Sequence, residues 1–321
     1  MKISAHTFIT NPITSGYNAY LPSIQSFLDF ADEVIVVDGG STDDSLERLK
    51  MLRGSKKLKI ISNETTHWGA GDKWEWAQIG IQRQVGYENC SGDWAIHFDA
   101  DHILPEFESE KLSKELKNSL NRGIVYAFRV IKFANGKYSR IYKIRRWCVN
   151  NKLSREKNIR LVYGAHILSG DLNQVIIPEE EKQIIDPVNK NKKTYYIGKH
   201  YPVSKLLNVT LYKYGHFFFT TEQLLYKLKR MENQRAKWKQ REKENIIEDK
   251  RPYRQINPEE VLSNKNHPNA FREYFKQWLD EFYPEKEDII GLRYYADDQK
   301  KIRRDNLYAL YRNCIANFGR L

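Results

Sequence analysis

Two aspartates one residue apart, Asp99 and Asp101, close the stretch GDWAIHFDADHIL at residues 92–104. Their carboxylates offer hard oxygen donors at a spacing that lets both reach one Mg²⁺ or Mn²⁺, directly or through water. A divalent ion held there can carry a diphosphate and stabilise its charge as it leaves. An Asp-x-Asp turn can also sit in solvent and bind nothing. Here the apolar run WAIHF precedes it and reads as a buried strand that ends at the acids. Another acid, Asp38, ends the run EVIVVD and is followed by GGSTDDS. A carboxylate at a strand end can accept hydrogen bonds from a ribose or base, and Gly39 and Gly40 permit a tight turn into a helix. An ordinary strand–turn–helix connection accounts for the same residues, because neither GxGxxG nor a Walker pattern is present.

These acids depend on the elements around them. KISAHTFIT reads as a strand and YNAYLPSIQSFLDF carries apolar residues at helical spacing. EVIVV is a short continuous apolar run, as in a central strand covered on both faces. STDDSLERLKML predicts a helix with Ser41 as N-cap and Asp44 as an acidic variant of the capping box. KLKIIS predicts a third strand, KWEWAQIGIQRQVGYENC a helix, and DWAIHF a fourth strand. Strands alternating with helices indicate βαβ units and a mostly parallel sheet, and ligands bind such sheets beyond the carboxyl ends of the strands. Asp38, Asp99 and Asp101 all fall on that rim.

From residue 123 the pattern changes. GIVYAFRVIKFANGKYSRIYKIRRWCV predicts two strands around NGK, and TYYIGKHYP and LYKYGHFFF are strand-like. From Thr220 a long polar helix is expected through TTEQLLYKLKRMENQRAKWKQREKEN, then amphipathic helices in NAFREYFKQWLDEFY and KKIRRDNLYALYRNCIANF. Trp74 and Trp76 read as core. The chain of 321 residues is 40% hydrophobic with 34 Phe and Tyr, enough for a real core. No apolar run approaches the ~20 residues that span a bilayer, and the first residues lack the apolar stretch of a leader, so a cytoplasmic protein is expected. Cys90, Cys148 and Cys314 lie far apart and read as reduced thiols. The net charge of +12 is uneven: residues 1–110 hold 9 Lys+Arg against 17 Asp+Glu, the rest 44 against 24. The acidic part could hold a cation. The basic part could face DNA or an anionic membrane surface, or simply be solvated helix.

EVIVVDGGSTDDSLE followed by QRQVGYENCSGDWAIHFDADHIL strongly resembles the family 2 glycosyltransferases of the GT-A fold, from about residue 3 to 133, with weaker echoes to about 219. The resemblance implies a metal-dependent transferase that moves a sugar from a UDP- or GDP-sugar to a glycan, lipid-linked or other small acceptor, with inversion. It implies that Thr7, Thr10 or Asn11, together with Asp38, holds the nucleotide, with Arg83 on the nucleotide or diphosphate. Asp99 and Asp101, with Ala100 between them, would bind the sugar nucleotide through Mn²⁺ or Mg²⁺. A late His, nominated as His216 in YKYGHFF, would complete the metal or diphosphate site. A general base is expected downstream, with Asp171 first and Glu179, Glu180 and Glu181 next. His166 is a candidate for the acceptor cleft.

Departures from the family pattern add candidates. The usual Asn-Glu pair after strand one is replaced by TNPITSGYNAY, and His102 follows the acids where relatives carry Glu or Asp. His102 could touch sugar or metal, or face solvent. Trp68 in the loop HWGAGD could stack on a sugar. Arg140, Arg145 and Arg146 could bind a diphosphate or an anionic acceptor, or form a solvated strand face. The expected layout is a GT-A domain over 1–219, with a nucleotide half at 1–110 and an acceptor half at 111–219, and a basic helical extension over 220–321. A DNA-modifying glycosyltransferase, a nucleotidyltransferase and a non-catalytic binding module on the same sheet are the alternatives.

Overall fold

The structure is a computed structural model, and it describes residues 1–17, 19–64, 73–134, 137–164, 174–186, 189–214, 253–256, 262–263, 267–282 and 289–292. The first strands lie where the apolar runs place them: β1 at Ile3–Ile9, β2 at Glu33–Asp38, β3 at Leu58–Ser62 and β4 at Trp94–His97. Helix α1 covers Tyr20–Phe30, α2 Ser45–Lys50 and α3 Lys73–Glu88. Two-residue β5 (His102–Ile103) and α4 (Glu106–Ser119) follow. Then come β6 (Val125–Ala134), β7 (Lys137–Asn150), short α5 (Asn151–Glu156), β8 (Val162–Gly164), β9 (Gln174–Ile185), β10 (Lys192–His200) and β11 (Lys205–Lys213). Strand β12 (Tyr253–Ile256), α6 (Asn269–Phe282) and β13 (Ile289–Leu292) close the described chain.

Eight strands form one mixed sheet in the order β3-β2-β1-β4-β7-β6-β11-β5. Strands β3, β2, β1 and β4 run parallel, β7 is antiparallel to β4 and to β6, and β11 is parallel to β6. Every residue of EVIVVD after Glu33 is buried, as its covered position next to β1 requires. Helix α1 lays Tyr20, Leu21, Ile24, Phe27 and Leu28 on the sheet, and the Phe27 ring stacks on Phe98 at 3.9 Å. Burying an aromatic ring of this size favours folding by about 2–3 kcal/mol. The stacked pair therefore anchors α1 directly beneath the end of β4.

Two local expectations are corrected, and one strand is added. Helix α2 starts at Ser45 with Asp44 as N-cap, not at Ser41. Ser41 is engaged elsewhere: its amide donates to the Asp38 carboxylate and its hydroxyl accepts the Asn11 amide. The segment Gln174–Ile185, in which buried Val175 and Ile176 precede a polar stretch, is the centre of a three-stranded sheet, β10-β9-β8. Pro178 is accommodated there by a register shift opposite Gly198, where a Cβ would lie 1.9 Å from the Ile177 carbonyl oxygen. The C-terminal part is not helical throughout, since β12 and β13 pair antiparallel.

Helix α6 packs on α1 and buries Phe271 and Phe275 with Phe133, Tyr212 and Tyr214. The Tyr214 ring stacks on Phe271 at 3.9 Å and its hydroxyl meets His267 Nδ1 at 2.8 Å. Arg48 on α2 forms a two-pronged ion pair with Glu281 at 2.8 and 3.1 Å. Among the described residues Cys90 and Cys148 are free thiols, and no helix is long and apolar enough to cross a membrane. The long polar segment from Thr220 and the last amphipathic segment lie outside the described residues, as does Cys314.

Candidate active site

The parallel register sets the rim. Ile9 pairs with Asp38 across β1 and β2, and His6 pairs with His97 across β1 and β4. The chain therefore leaves the sheet at Thr10, Asp38 and Asp99 on the same edge. Asp38 is buried, and its carboxylate accepts the amides of Gly40 at 3.2 Å and Ser41 at 3.1 Å. Gly40 takes φ +90°, which the tight turn needs and other residues rarely adopt. Asn11 ties this turn to the first loop: its side-chain oxygen accepts the Thr42 amide at 2.7 Å and the Asp43 amide at 3.3 Å. The Thr10 hydroxyl donates to its neighbour's carbonyl at 2.7 Å. Thr7 is 1% exposed, level with the core residues Ala5 and Ile9, and the structure does not bring it to the rim.

The Asp99–Ala100–Asp101 turn is closed by the His102 amide donating to the Asp99 carbonyl at 2.8 Å. It is pinned from outside by the Tyr214 amide on the Asp101 carbonyl at 2.9 Å and by the Ser23 hydroxyl on the His102 carbonyl at 2.5 Å. Ala100 packs on the core. Arg83, buried on α3, donates from Nε to His97 Nε2 at 2.8 Å and from a terminal nitrogen to Asp99 Oδ1 at 3.1 Å. Lys213, the last residue of β11, places its ammonium 3.0 Å from Asp101 Oδ1 and 3.6 Å from Asp99 Oδ2. It reaches them because β11 pairs antiparallel with β5, setting Lys213 opposite His102.

Burial by itself would raise the Asp99 carboxyl, but His97 and the charges of Lys213, His102 and Arg83 turn it well below the ordinary carboxylate range. His97 accepts the Arg83 Nε–H, so it has no proton there to offer Asp99 Oδ1, 3.5 Å away. The two cations therefore carry the effect. Burial and the Arg83 charge hold His97 itself down at about 4, so it is a neutral acceptor at neutral pH.

The carboxylates and His102 offer ligand atoms within 4.8 Å of one another. Two hard oxygens and an imidazole suit Mn²⁺ or Mg²⁺. His102 is 1% exposed and does not face solvent; its Nδ1 accepts the Asp99 amide at 3.2 Å. The donor set fits a divalent ion through Asp99 and Asp101, with His102 behind them.

Of the residues expected from sequence, the structure brings Arg83, Asp99, Ala100 and Asp101 together and puts Asp38, Thr10 and Asn11 on the same rim. Glu179, Glu180 and Glu181 lie exposed on β9, where Glu179 pairs with Lys199 and Glu180 with Lys182. Trp68, His166, Asp171 and His216 lie outside the described residues, as do the side chains of Trp74, Trp76, Arg140, Arg145 and Arg146. Lys213 and His97 are the two contributors that sequence reasoning missed. A lysine inside the apolar LYKYG run and a histidine inside WAIHF were the available signals.

His6 lies below this cluster, fully buried among the rings of Tyr87, His97 and Tyr163, with both ring nitrogens lacking hydrogen-bond partners among the described residues. Burial, then the charges of His97 and Arg83, hold it neutral well below its ordinary value. The unfolded chain takes up a proton at this residue below about pH 6.5, whereas the folded chain does not. Stability present above that pH is therefore lost on acidification, by up to about 1.4 kcal/mol per pH unit for this group. His6→Phe removes the titrating group while keeping a ring, so its stability is expected to fall less steeply than the wild type's between pH 7 and 5. Urea unfolding at three pH values checks this, and equal slopes would refute it.

The glycosyl transferase family 2 model matches residues 18–172, which include Asp38, Arg83, Asp99 and Asp101. A glycosyltransferase of Rickettsia conorii is 26% identical over 245 residues, covering 74% of this chain and 70% of that one. The lipopolysaccharide core biosynthesis glycosyltransferase LpsC of Rhizobium meliloti is 26% identical over 182 residues, covering 56% and 58%. Among solved structures, S. aureus TarS 1-349 in complex with UDP-GlcNAc aligns over 88% of this chain and 71% of that one at 16% identity. Its TM-score of 0.40 is too loose to transfer details of a site. Taken with the mixed, mainly parallel sheet and the acids on its rim, the match identifies residues 18–172 as a glycosyl transferase family 2 domain.

Proposed function

We propose that the chain moves a sugar from a nucleotide-diphospho-sugar to an acceptor hydroxyl, with inversion and with a divalent cation held beside the donor diphosphate. The observation that carries this reading is the Asp99–Asp101 turn on the carboxyl rim, flanked by Arg83 and Lys213, inside a family 2 domain. Asp99 and Asp101 would hold the cation, which when bound neutralises charge on the departing nucleoside diphosphate. Asp38 and its Gly40–Ser41 turn would contact the nucleoside, which UDP- and GDP-sugars both supply. Arg83 orients Asp99 and keeps it ionised. Asp171 is the proposed general base, on the resemblance alone. The name of the LpsC relative, with its lipopolysaccharide core role, supports a saccharide acceptor.

A thermal-shift panel of nucleotide sugars, with and without Mn²⁺, tests the reading on wild type and Asp101→Asn. A donor at about 100 times its Kd adds roughly 2.7 kcal/mol, a shift of several degrees. One class of donor is expected to raise Tm only with metal and only in the wild type. A shift with duplex DNA or anionic vesicles alone, and none with any donor, would overturn the reading.

A further inference from the structure

Resting on the proposed metal-assisted donor binding, we propose that Lys213 is the resident counter-cation of the Asp99–Asp101 pair, which an incoming divalent ion must displace. The displaced ammonium then serves the donor diphosphate. The geometry sets up a competition. The Lys213 ammonium lies 3.0 Å from one carboxylate and 3.6 Å from the other, bridging the two oxygen donors that a divalent ion needs. A divalent ion and the ammonium compete for these oxygens, because at such distances their mutual repulsion exceeds thermal energy even where water screens it. The lysine is not there by accident of a flexible loop. It ends β11, is in register with His102, and is followed by Tyr214, whose amide holds the Asp101 carbonyl.

On the other side of Asp99 sits Arg83, locked by His97 and unable to lose its proton. Among the described residues two side-chain cations face the pair, and of these Lys213 is the one that can move. Lys213 is a single point charge on a long stem, and its side chain is 24% exposed, so it has a way out toward solvent. Arg83, at 6%, has none. Once a metal takes the carboxylates, the donor's diphosphate is an anion on the same rim that can receive the Lys213 ammonium. Metal and donor are thereby coupled: the ion binds poorly alone and well when the diphosphate arrives to receive the lysine.

The test is Mn²⁺ binding to the full chain, read by electron paramagnetic resonance of the free ion without nucleotide. Nucleoside diphosphate affinity at saturating Mn²⁺ follows. Lys213→Met is expected to bind Mn²⁺ about tenfold tighter than wild type, and the nucleoside diphosphate several-fold more weakly, because charge is lost from both interactions with opposite sign. Lys213→Arg, which keeps the charge, is expected to retain the weak Mn²⁺ affinity. A merely structural role would weaken both ligands, and that result overturns the proposal. Equal Mn²⁺ affinity in wild type and Lys213→Met, with a loss in Asp101→Asn, also overturns it while leaving the metal site standing. Mn²⁺ binding unaffected by Asp101→Asn would remove the metal site and the proposal together.

Discussion

Asp101→Asn is expected to lower the rate of sugar transfer about 1000-fold while leaving the fold in place. The change is isosteric, so the turn keeps its shape, its closing bond from the His102 amide and its pin from the Tyr214 amide. What disappears is one of the two negative charges to which the proposed reading assigns the cation and the donor diphosphate. Stabilising charge on a leaving diphosphate contributes several kcal/mol to a transition state, and each 1.36 kcal/mol is tenfold in rate. The loss should fall on donor binding through the cation as well as on the transfer step, since the proposed Asp38 contacts reach only the nucleoside. Stability is expected to drop by only about 1 kcal/mol, since Lys213 keeps Asp99 within 3.6 Å and reaches solvent. Initial rates with the donor found by thermal shift, alongside urea unfolding, check both parts. Activity within tenfold of wild type would take Asp101 out of the mechanism.

Arg83→Met has a different signature, because it damages fold and function together. Arg83 is buried and makes two bonds that no other described residue replaces, one to neutral His97 and one to ionised Asp99. Removing one partner of a buried pair leaves the other unbalanced, at about 3–5 kcal/mol. The lower end applies, because Asp99 is 24% exposed and keeps Lys213. The same change frees Asp99 to turn away from Asp101, so transfer is expected to fall at least 100-fold, with donor KM rising. Arg83→Lys keeps a charge but cannot make both bonds in one plane, and should recover part of the stability and little of the activity. Denaturant unfolding and kinetics on the two variants separate these effects. If Arg83→Met unfolds at the wild-type midpoint, the His97–Arg83–Asp99 chain is not a supporting element.

What could be read from the sequence was local. Apolar runs marked β2 and β4 because central parallel strands are buried on both faces. The acids that interrupt those runs marked the rim, because a carboxylate does not stay in such a strand without a reason. Arg83 was named by the family resemblance, which places a basic residue on the helix before the acids. Ser41 failed as a cap because its hydrogen bonds go to Asn11 and Asp38, one of them across two loops. Strand β9 is harder to read because its buried Val175 and Ile176 are followed by Pro178 and the exposed acids Glu179–Glu181, which break the apolar pattern. Lys213 shows the limit most plainly. It lies 112 residues beyond Asp101, and no local pattern says that a β11–β5 register will set it against the carboxylates. Side-chain types and short-range periodicity determined which groups could do the chemistry. Long-range strand pairing decided which of them meet, because only the folded sheet brings an ammonium, a guanidinium and two carboxylates within hydrogen-bonding range.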